Sequence, residues 1–402
     1  MFQNQQIARG IYYVGVNDRQ TTKFEGRLSL PHGVSYNSYL VLDEKTALID
    51  TVEAAFGDVF IDKVRSQLGE RPLDYLIVNH MEPDHSGSIR LLRQYFPEMV
   101  IVTNAKALDM LQGYYGVTDN TLAIHDGECL PLGGRQLQFH FTPMVHWPET
   151  MMTWDPAEKV LFSGDAFGCF GALNGGVMDT QMNVEKHLDE MIRYYANIVG
   201  KYGAPVQKAL QKLAGLPFEV ICATHGPVWK ERRREVVDLY ARLSRYEGTE
   251  GVVIVYGSMY GNTELMAETV AQGVAEAGIR DIVVHNVSKS DPSEMLRDIF
   301  KYSGLIVGSP TYSNELYPEV EALLREIETR GVKNRLFGYF GSFTWAGAAV
   351  KRLAAFAQTM QWKTAEFSVE GKQGLQAASY QACLKLGQQV AQLVKQAATN
   401  KA

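Results

Sequence analysis

The stretch His80-Met81-Glu82-Pro83-Asp84-His85 decides how this chain is read. The apolar run Leu73-Asp74-Tyr75-Leu76-Ile77-Val78 before it predicts a buried strand. The segment Ser86-Gly87-Ser88-Ile89-Arg90-Leu91-Leu92 after it predicts the start of a helix, with Ser86 near the cap. Two imidazoles and two carboxylates therefore crowd a turn at the carboxyl end of a strand. A loop can aim them at a common point, which a straight strand cannot. Pro83 stiffens that loop and removes a backbone donor.

Three later residues have the same character. His146 lies in Met144-Val145-His146-Trp147-Pro148, Asp165 in Ser163-Gly164-Asp165-Ala166, and His225 in Thr224-His225-Gly226-Pro227. Each follows a predicted strand and sits in a turn with Gly or Pro. Ligands at the ends of successive strands can meet at one edge of a sandwich. With His80, Glu82, Asp84 and His85 this makes seven side chains, more than one tetrahedral zinc ion uses. They suit two metals sharing a carboxylate, and Asp165, alone in its turn, is the best bridge. Mixed imidazole and carboxylate ligation suits iron or manganese as well as zinc. His32, His125, His140, His187 and His285 lack carboxylate company at motif spacing and read as structural.

Outward from these residues, the first half alternates short strands and helices, as a two-sheet α/β sandwich would. The polar, glycine-containing stretch Tyr246-Glu247-Gly248-Thr249-Glu250-Gly251 marks a boundary, giving domains 1–248 and 252–402. Beyond it, strand and helix alternate regularly, which predicts a doubly wound parallel sheet of about five strands. At 402 residues, with 46% hydrophobic composition, 20 Tyr and 17 Phe, two such domains can each bury a core. The net charge of -6 with scattered basic residues argues against nucleic-acid binding. Nothing resembles a signal peptide or a membrane span. Cys129, Cys169, Cys222 and Cys383 form no CxxC pair, so buried free thiols in a cytoplasmic protein are expected.

The second domain carries its own signals. After Val252–Tyr256, the loop Gly257-Ser258-Met259-Tyr260-Gly261-Asn262-Thr263 opens a helix, offering backbone N–H groups and a helix N-terminus to one phosphate. It is neither a Walker loop nor GxGxxG. Two further loops leave carboxyl strand ends: Ser309-Pro310-Thr311-Tyr312-Ser313-Asn314 and Ser342-Phe343-Thr344-Trp345-Ala346-Gly347. Tyr312 and Trp345 offer flat surface for an isoalloxazine ring. The S-x-x-G-N-T loop on a five-strand alternating pattern resembles flavodoxin, which binds FMN.

The layout H-x-E-x-D-H, followed by His146, Asp165 and His225, resembles the metallo-β-lactamase-like αββα fold. The hydrolases of that fold look like H-x-H-x-D-H, and Glu82 stands here where they have their second His. With the flavodoxin-like domain behind it, the chain resembles the flavodiiron proteins over essentially its whole length. The resemblance implies one iron held by His80, Glu82 and His146, the other by Asp84, His85 and His225, and Asp165 between them. In some members the residue like His85 does not ligate. It implies an oxidoreductase that reduces O2 to water, NO to N2O, or both. A reduced flavin and two ferrous ions together carry the four electrons that O2 needs. A tyrosine within Arg193-Tyr194-Tyr195-Ala196-Asn197 is implied beside the irons, and either Tyr194 or Tyr195 fits. Some relatives have a histidine following a Phe at the gas pocket; here Phe24 is followed by Glu25. The implied partners are a rubredoxin or similar small electron donor and a second copy of the chain, head to tail, or a dimer of dimers. The rival readings are a zinc hydrolase fused to a flavodoxin module and a non-enzymatic electron carrier.

Overall fold

The computed structural model describes residues 4–399. The chain divides into two compact units. One runs to Tyr195 and includes Ala204–Ala241; the other holds Ala196–Gly203 and the chain from Arg242 onward.

The first unit contains two large sheets. The seven-stranded one runs Gln5–Ala8, Ile11–Tyr13, Tyr39–Leu42, Thr46–Ile49, Tyr75–Ile77, Val100–Thr103, Thr121–Ala123 in spatial order. The five-stranded one runs Cys129–Pro131, Gln136–Phe141, Met151–Asp155, Val160–Gly164, Val220–Ala223. One shared core joins them: Ile49, Ile77 and Val102 from the first meet Phe139, Met151, Phe162 and Cys222 from the second. The alternate residues Leu48, Leu76 and Ile101 point the other way and are fully buried as well. Strands buried on both faces read as continuous apolar runs, as these do. The αββα sandwich is thus the fold of this unit.

Two stretches whose residue pattern suits one continuous element are broken. Tyr36–Leu42 is interrupted at Asn37, giving strands Val34–Tyr36 and Tyr39–Leu42. The Asn37 side chain donates to the carbonyls of Ala223 (2.9 Å) and Gly226 (2.8 Å), so it is tied to the His225 turn instead of the ladder. The residues from Met182 to Val199 carry one helical pattern, but the α-helix ends at Tyr194 and a wider π-helical turn follows over Tyr195–Val199. From Ala196 the backbone belongs to the second unit, where the Asn197 amide donates to Ser293 O and Tyr246 Oη to Gly200 O.

The second unit is a parallel sheet in the order Ile282–Asn286, Thr249–Tyr256, Tyr302–Pro310, Leu336–Phe343, Lys363–Thr364. This 2-1-3-4-5 order is the flavodoxin arrangement. The fifth position is shared: Val369–Lys372 also pairs with Leu336–Phe343. The run Thr364–Phe367 suits a single strand, but the strand is cut short because the Glu366 amide donates to the Gln389 side chain (3.0 Å) and leaves the ladder. The core is built from Val252, Ile254, Ile306 and Phe340 against Val270, Leu386 and Val390.

Of the four cysteines, three are buried, whereas Cys129 is exposed. It begins the edge strand of the five-stranded sheet and faces outward, so the expectation of four buried thiols is corrected. Among the described residues no helix is long and apolar enough to cross a membrane.

Candidate metal centre and flavin cavity

All seven predicted ligands stand at carboxyl ends of strands of the two sheets. Pro83 does more than stiffen a loop. It is the first residue of a one-turn helix, Pro83–Ser86, for which Glu82 is the N-cap. Asp84 and His85 therefore project from a helical turn, one residue apart and on neighbouring faces. Ser86 does not cap the next helix, which begins at Ile89 with Ser88 before it. Its hydroxyl donates instead to the carbonyls of Met81 (2.8 Å) and Glu82 (3.0 Å), tying the turn to the ligand stretch. At the opposite wall His225 is followed by Gly226 at φ +76°, where a Cβ would collide with Cys169 Sγ. Only glycine fits that approach.

The ligand atoms fall into two groups. His80, Glu82, His146 and Asp165 form one, and Asp84, His85 and His225 the other; within each, the atoms lie within 4.8 Å of one another. The two oxygens of Asp165 divide between them. Oδ2 stands 3.0 Å from His146 Nε2 and 3.4 Å from His80 Nε2. Oδ1 stands 2.9 Å from His85 Nε2 and 3.7 Å from His225 Nε2. Glu82 Oε2 lies 3.2 Å and 3.1 Å from His80 and His146, and Asp84 Oδ2 lies 3.3 Å from both His85 and His225.

These spacings are what donors gathered round a common ion would show. Donors about 2.1 Å from a common ion stand roughly 3.0–3.4 Å from each other. Both oxygens of Asp84, His85 Nε2 and His225 Nε2 are buried and make no hydrogen bond among the described residues. Buried polar atoms left this way call for a partner. The set has four imidazoles, three carboxylates and no thiolate, which suits iron.

The electrostatics agree. Burial disfavours charge on His85 and His146, but the surrounding carboxylates outweigh it and raise both to about 9. His80 is likewise raised well above its usual value. Burial also works against ionised Glu82 and Asp165, yet the histidines hold both below the usual carboxylate range. Without metal, the cluster is neutralised by protons that an ion would replace.

Residues that the motif does not contain complete the site. Thr224 Oγ1 donates to Asp165 Oδ1 (2.6 Å), and His225 Nδ1 donates to Ser35 O (2.8 Å). Phe24, Tyr36 and Tyr194 set their rings against His225 at 5.6, 5.9 and 5.5 Å, and Trp147 meets His80 at 5.2 Å. Of the two adjacent tyrosines, Tyr194 is the one against His225, and Tyr195 lies on Tyr240. Glu25, at φ +50°, neighbours Glu82. Desolvation by its surroundings, and then that carboxylate, push the carboxyl of this surface residue up to about 7. None of His32, His125, His140, His187 and His285 enters either group.

In the second unit a cavity of about 500 Å³ opens among the three predicted loops. Ser258, Met259, Tyr260, Asn262 and Thr263 line it, with Pro310, Thr311, Tyr312, Asn314, Ser342, Phe343, Thr344, Trp345 and Ala346. Its size lies within the range of cofactor sites. The helix Asn262–Glu276 begins at its edge, and Thr263 Oγ1 pairs with Ser342 Oγ at 2.9 Å. Tyr260 and Trp345 are 92% and 87% exposed, rings with no protein surface to lie on. Three predicted residues stand behind the wall. Gly261 is the helix N-cap, and Ser309 is buried, its hydroxyl donating to Pro310 O and accepting from Tyr317 N. Gly347 is closed off by Glu370. Ser313 and Gln373 line the cavity as well. Gln373 lies beyond the last strand, where the loop pattern gives no signal. The helix after this loop starts only at Ala349, because Thr311 Oγ1 accepts from Ala348 N and Ala349 N and leaves 344–346 on the cavity wall.

Comparisons with known proteins point the same way. Residues 34–226 match the family described as ODP family beta lactamase, and residues 254–387 match flavodoxin. The anaerobic nitric oxide reductase flavorubredoxin of Vibrio vulnificus is 33% identical over 393 residues, 96% of this chain and 79% of that protein. Rubredoxin oxygen:oxidoreductase from Desulfovibrio gigas superposes with a TM-score of 0.93 at 32% identity, covering 98% of this chain and 99% of the other. The flavodiiron protein from Giardia intestinalis superposes with a TM-score of 0.95 at 26% identity, covering 100% and 99%.

Proposed function

This chain belongs to the flavodiiron proteins, and from that premise we propose that it reduces O2 to water, NO to N2O, or both, at two non-haem irons supplied by FMN. The observation that carries the reading is Asp165, whose two oxygens serve two separate groups of ligand atoms. A lone hydrolytic zinc needs no such division.

His80, Glu82 and His146 would hold one iron and Asp84, His85 and His225 the other, with Asp165 bridging. When bound, the irons take the diatomic gas and the flavin supplies electrons. The chain's own part is to hold and to exclude. Phe24, Tyr36 and Trp147 wall the site with apolar rings, which keeps water scarce and a small apolar gas welcome. Tyr194 keeps its proton: burial first, then Asp165, Asp84 and Glu82, push its hydroxyl well above the usual range. It is a donor positioned at the His225 side. Glu25 brings a second protonatable group to the Glu82 side.

The Ser258–Thr263 loop would take the FMN phosphate and Tyr312, Phe343 and Trp345 the ring system, with domains at 1–248 and 252–402. The exposure of Tyr260 and Trp345 supports a further element: a head-to-tail pair of chains, or a dimer of such pairs, in which each flavin faces the partner's irons. A rubredoxin or similar small donor would refill the flavin. The three buried thiols and the absence of a membrane-crossing helix among the described residues are compatible with a cytoplasmic location.

Metal analysis of the purified protein tests the reading. About two irons per chain are expected, and Asp165→Ala should lose both while FMN stays bound. Zinc in their place, or full iron content in Asp165→Ala, would sink the bridged diiron assignment.

A further inference from the structure

We propose that Glu149 is a positioning residue for one metal only: it orients and strengthens His80, so the position held by His80, Glu82 and His146 depends on it and the other does not. The inference rests on the ligand assignment above.

Glu149 lies three residues beyond His146, in the loop between strands Gln136–Phe141 and Met151–Asp155. It is 1% exposed, a carboxylate almost never found so deep without a charged or hydrogen-bonding partner. One oxygen, Oε1, does two things. It stands 2.7 Å from His80 Nδ1, and it accepts the backbone N–H of Met81 at 3.0 Å. The ring and the backbone of the ligand stretch are thus fixed from one atom. Glu149 is itself anchored: its carbonyl accepts from Asn104 Nδ2 at 2.5 Å. Asn104 in turn caps the helix Ala105–Tyr115, accepting from the N–H groups of Lys106 and Ala107. Trp147 closes the other side of the ring. With Nδ1–H committed to Glu149, His80 has its Nε2 lone pair free toward Glu82 and Asp165.

Among the described residues no carboxylate hydrogen-bonds the Nδ1 of either imidazole in the second group: His225 Nδ1 donates to the neutral carbonyl of Ser35, His85 Nδ1 makes no hydrogen bond, and Asp50 acts on His85 only through its field. An anionic acceptor behind an imidazole fixes its tautomer and makes it a stronger donor, and loss of such a partner typically costs about 10–100-fold in metal affinity. The chain therefore gives its two metals unequal holds, and Glu149 is the source of the difference.

The test is anaerobic titration of the metal-free full chain with ferrous ion against a competing chelator, for wild type, Glu149→Gln and Glu149→Ala. Gln keeps an oxygen able to take both bonds of Oε1 but removes the charge. Wild type should bind two equivalents tightly. Glu149→Gln should weaken one equivalent by about tenfold and Glu149→Ala the same equivalent by up to about a hundredfold, the other staying within about threefold. If Ala fails to fold, Gln alone decides. Wild-type affinity at both positions in Glu149→Gln overturns the proposal, as does an equal loss at both. Wild type binding fewer than two equivalents, or His80→Ala weakening neither, would instead bring down the ligand assignment beneath it.

Discussion

Tyr194 lays its ring against His225 with the centroids 5.5 Å apart, and its fully buried hydroxyl has no hydrogen-bond partner among the described residues. A buried hydroxyl left this way is costly unless something else uses it. The neighbouring Tyr195 turns away onto Tyr240. The assignment of Tyr194 as donor therefore predicts that Tyr194→Phe keeps both cofactors and its melting temperature but loses about tenfold or more in gas reduction. Tyr195→Phe should keep the full rate. A Tyr194→Phe variant as fast as wild type removes the tyrosine from the mechanism.

Metal loading should expel protons. In the metal-free chain burial opposes charge on His80, His85 and His146, yet neighbouring carboxylates hold His85 and His146 at about 9 and raise His80 well above its usual value. Because these values are raised, the competing proton is bound throughout the range below about 9 and lost above it. Affinity should climb as pH rises toward 9 and then flatten. Calorimetry in buffers of differing ionisation enthalpy should find about three protons released per two ions at pH 7, falling as the pH passes 9. No release at pH 7 would mean that the histidines enter the site already neutral.

The seven clustered side chains were legible in the sequence because each pairs a strand end with a turn, and because four of them share six residues. What tertiary approach decides was not. Glu149 acts on His80 from 69 positions away, and nothing between them marks the pair. The π-helical turn after Tyr194 lies in an unbroken helical pattern, and only packing sends Ala196–Gly203 to the second unit. Tyr194 and Tyr195 are adjacent and chemically equal, so helical phase alone decides which ring meets His225. In the flavin unit the loops were readable from Gly, Ser and Thr at strand ends. Gln373 and the split fifth strand were not, since a side chain, Gln389, competes there with the ladder.

Pairing of chains makes a complementation prediction. One variant, His80→Ala with Asp165→Ala, should lack iron and keep FMN. Another, Asn262→Leu with Thr263→Ile, should block the phosphate cradle and keep iron. Subunit exchange between the two inactive proteins should restore gas reduction, since the flavin of the first then faces the irons of the second. Inactive mixed dimers, verified to retain one cofactor each, would place the transfer within a single chain.

The central claim is that gas is reduced at the bridged irons and not at the flavin. The direct measurement is anaerobic stopped-flow of the fully reduced protein against O2 and NO separately, with peroxide and N2O assayed in the product, for wild type and Asp165→Ala. The account predicts that wild type oxidises rapidly with at least one gas, giving water without free peroxide from O2 or N2O from NO. It predicts that Asp165→Ala, with FMN in place, reacts slowly and releases peroxide from O2. Equal rates and the same products from both proteins would contradict it.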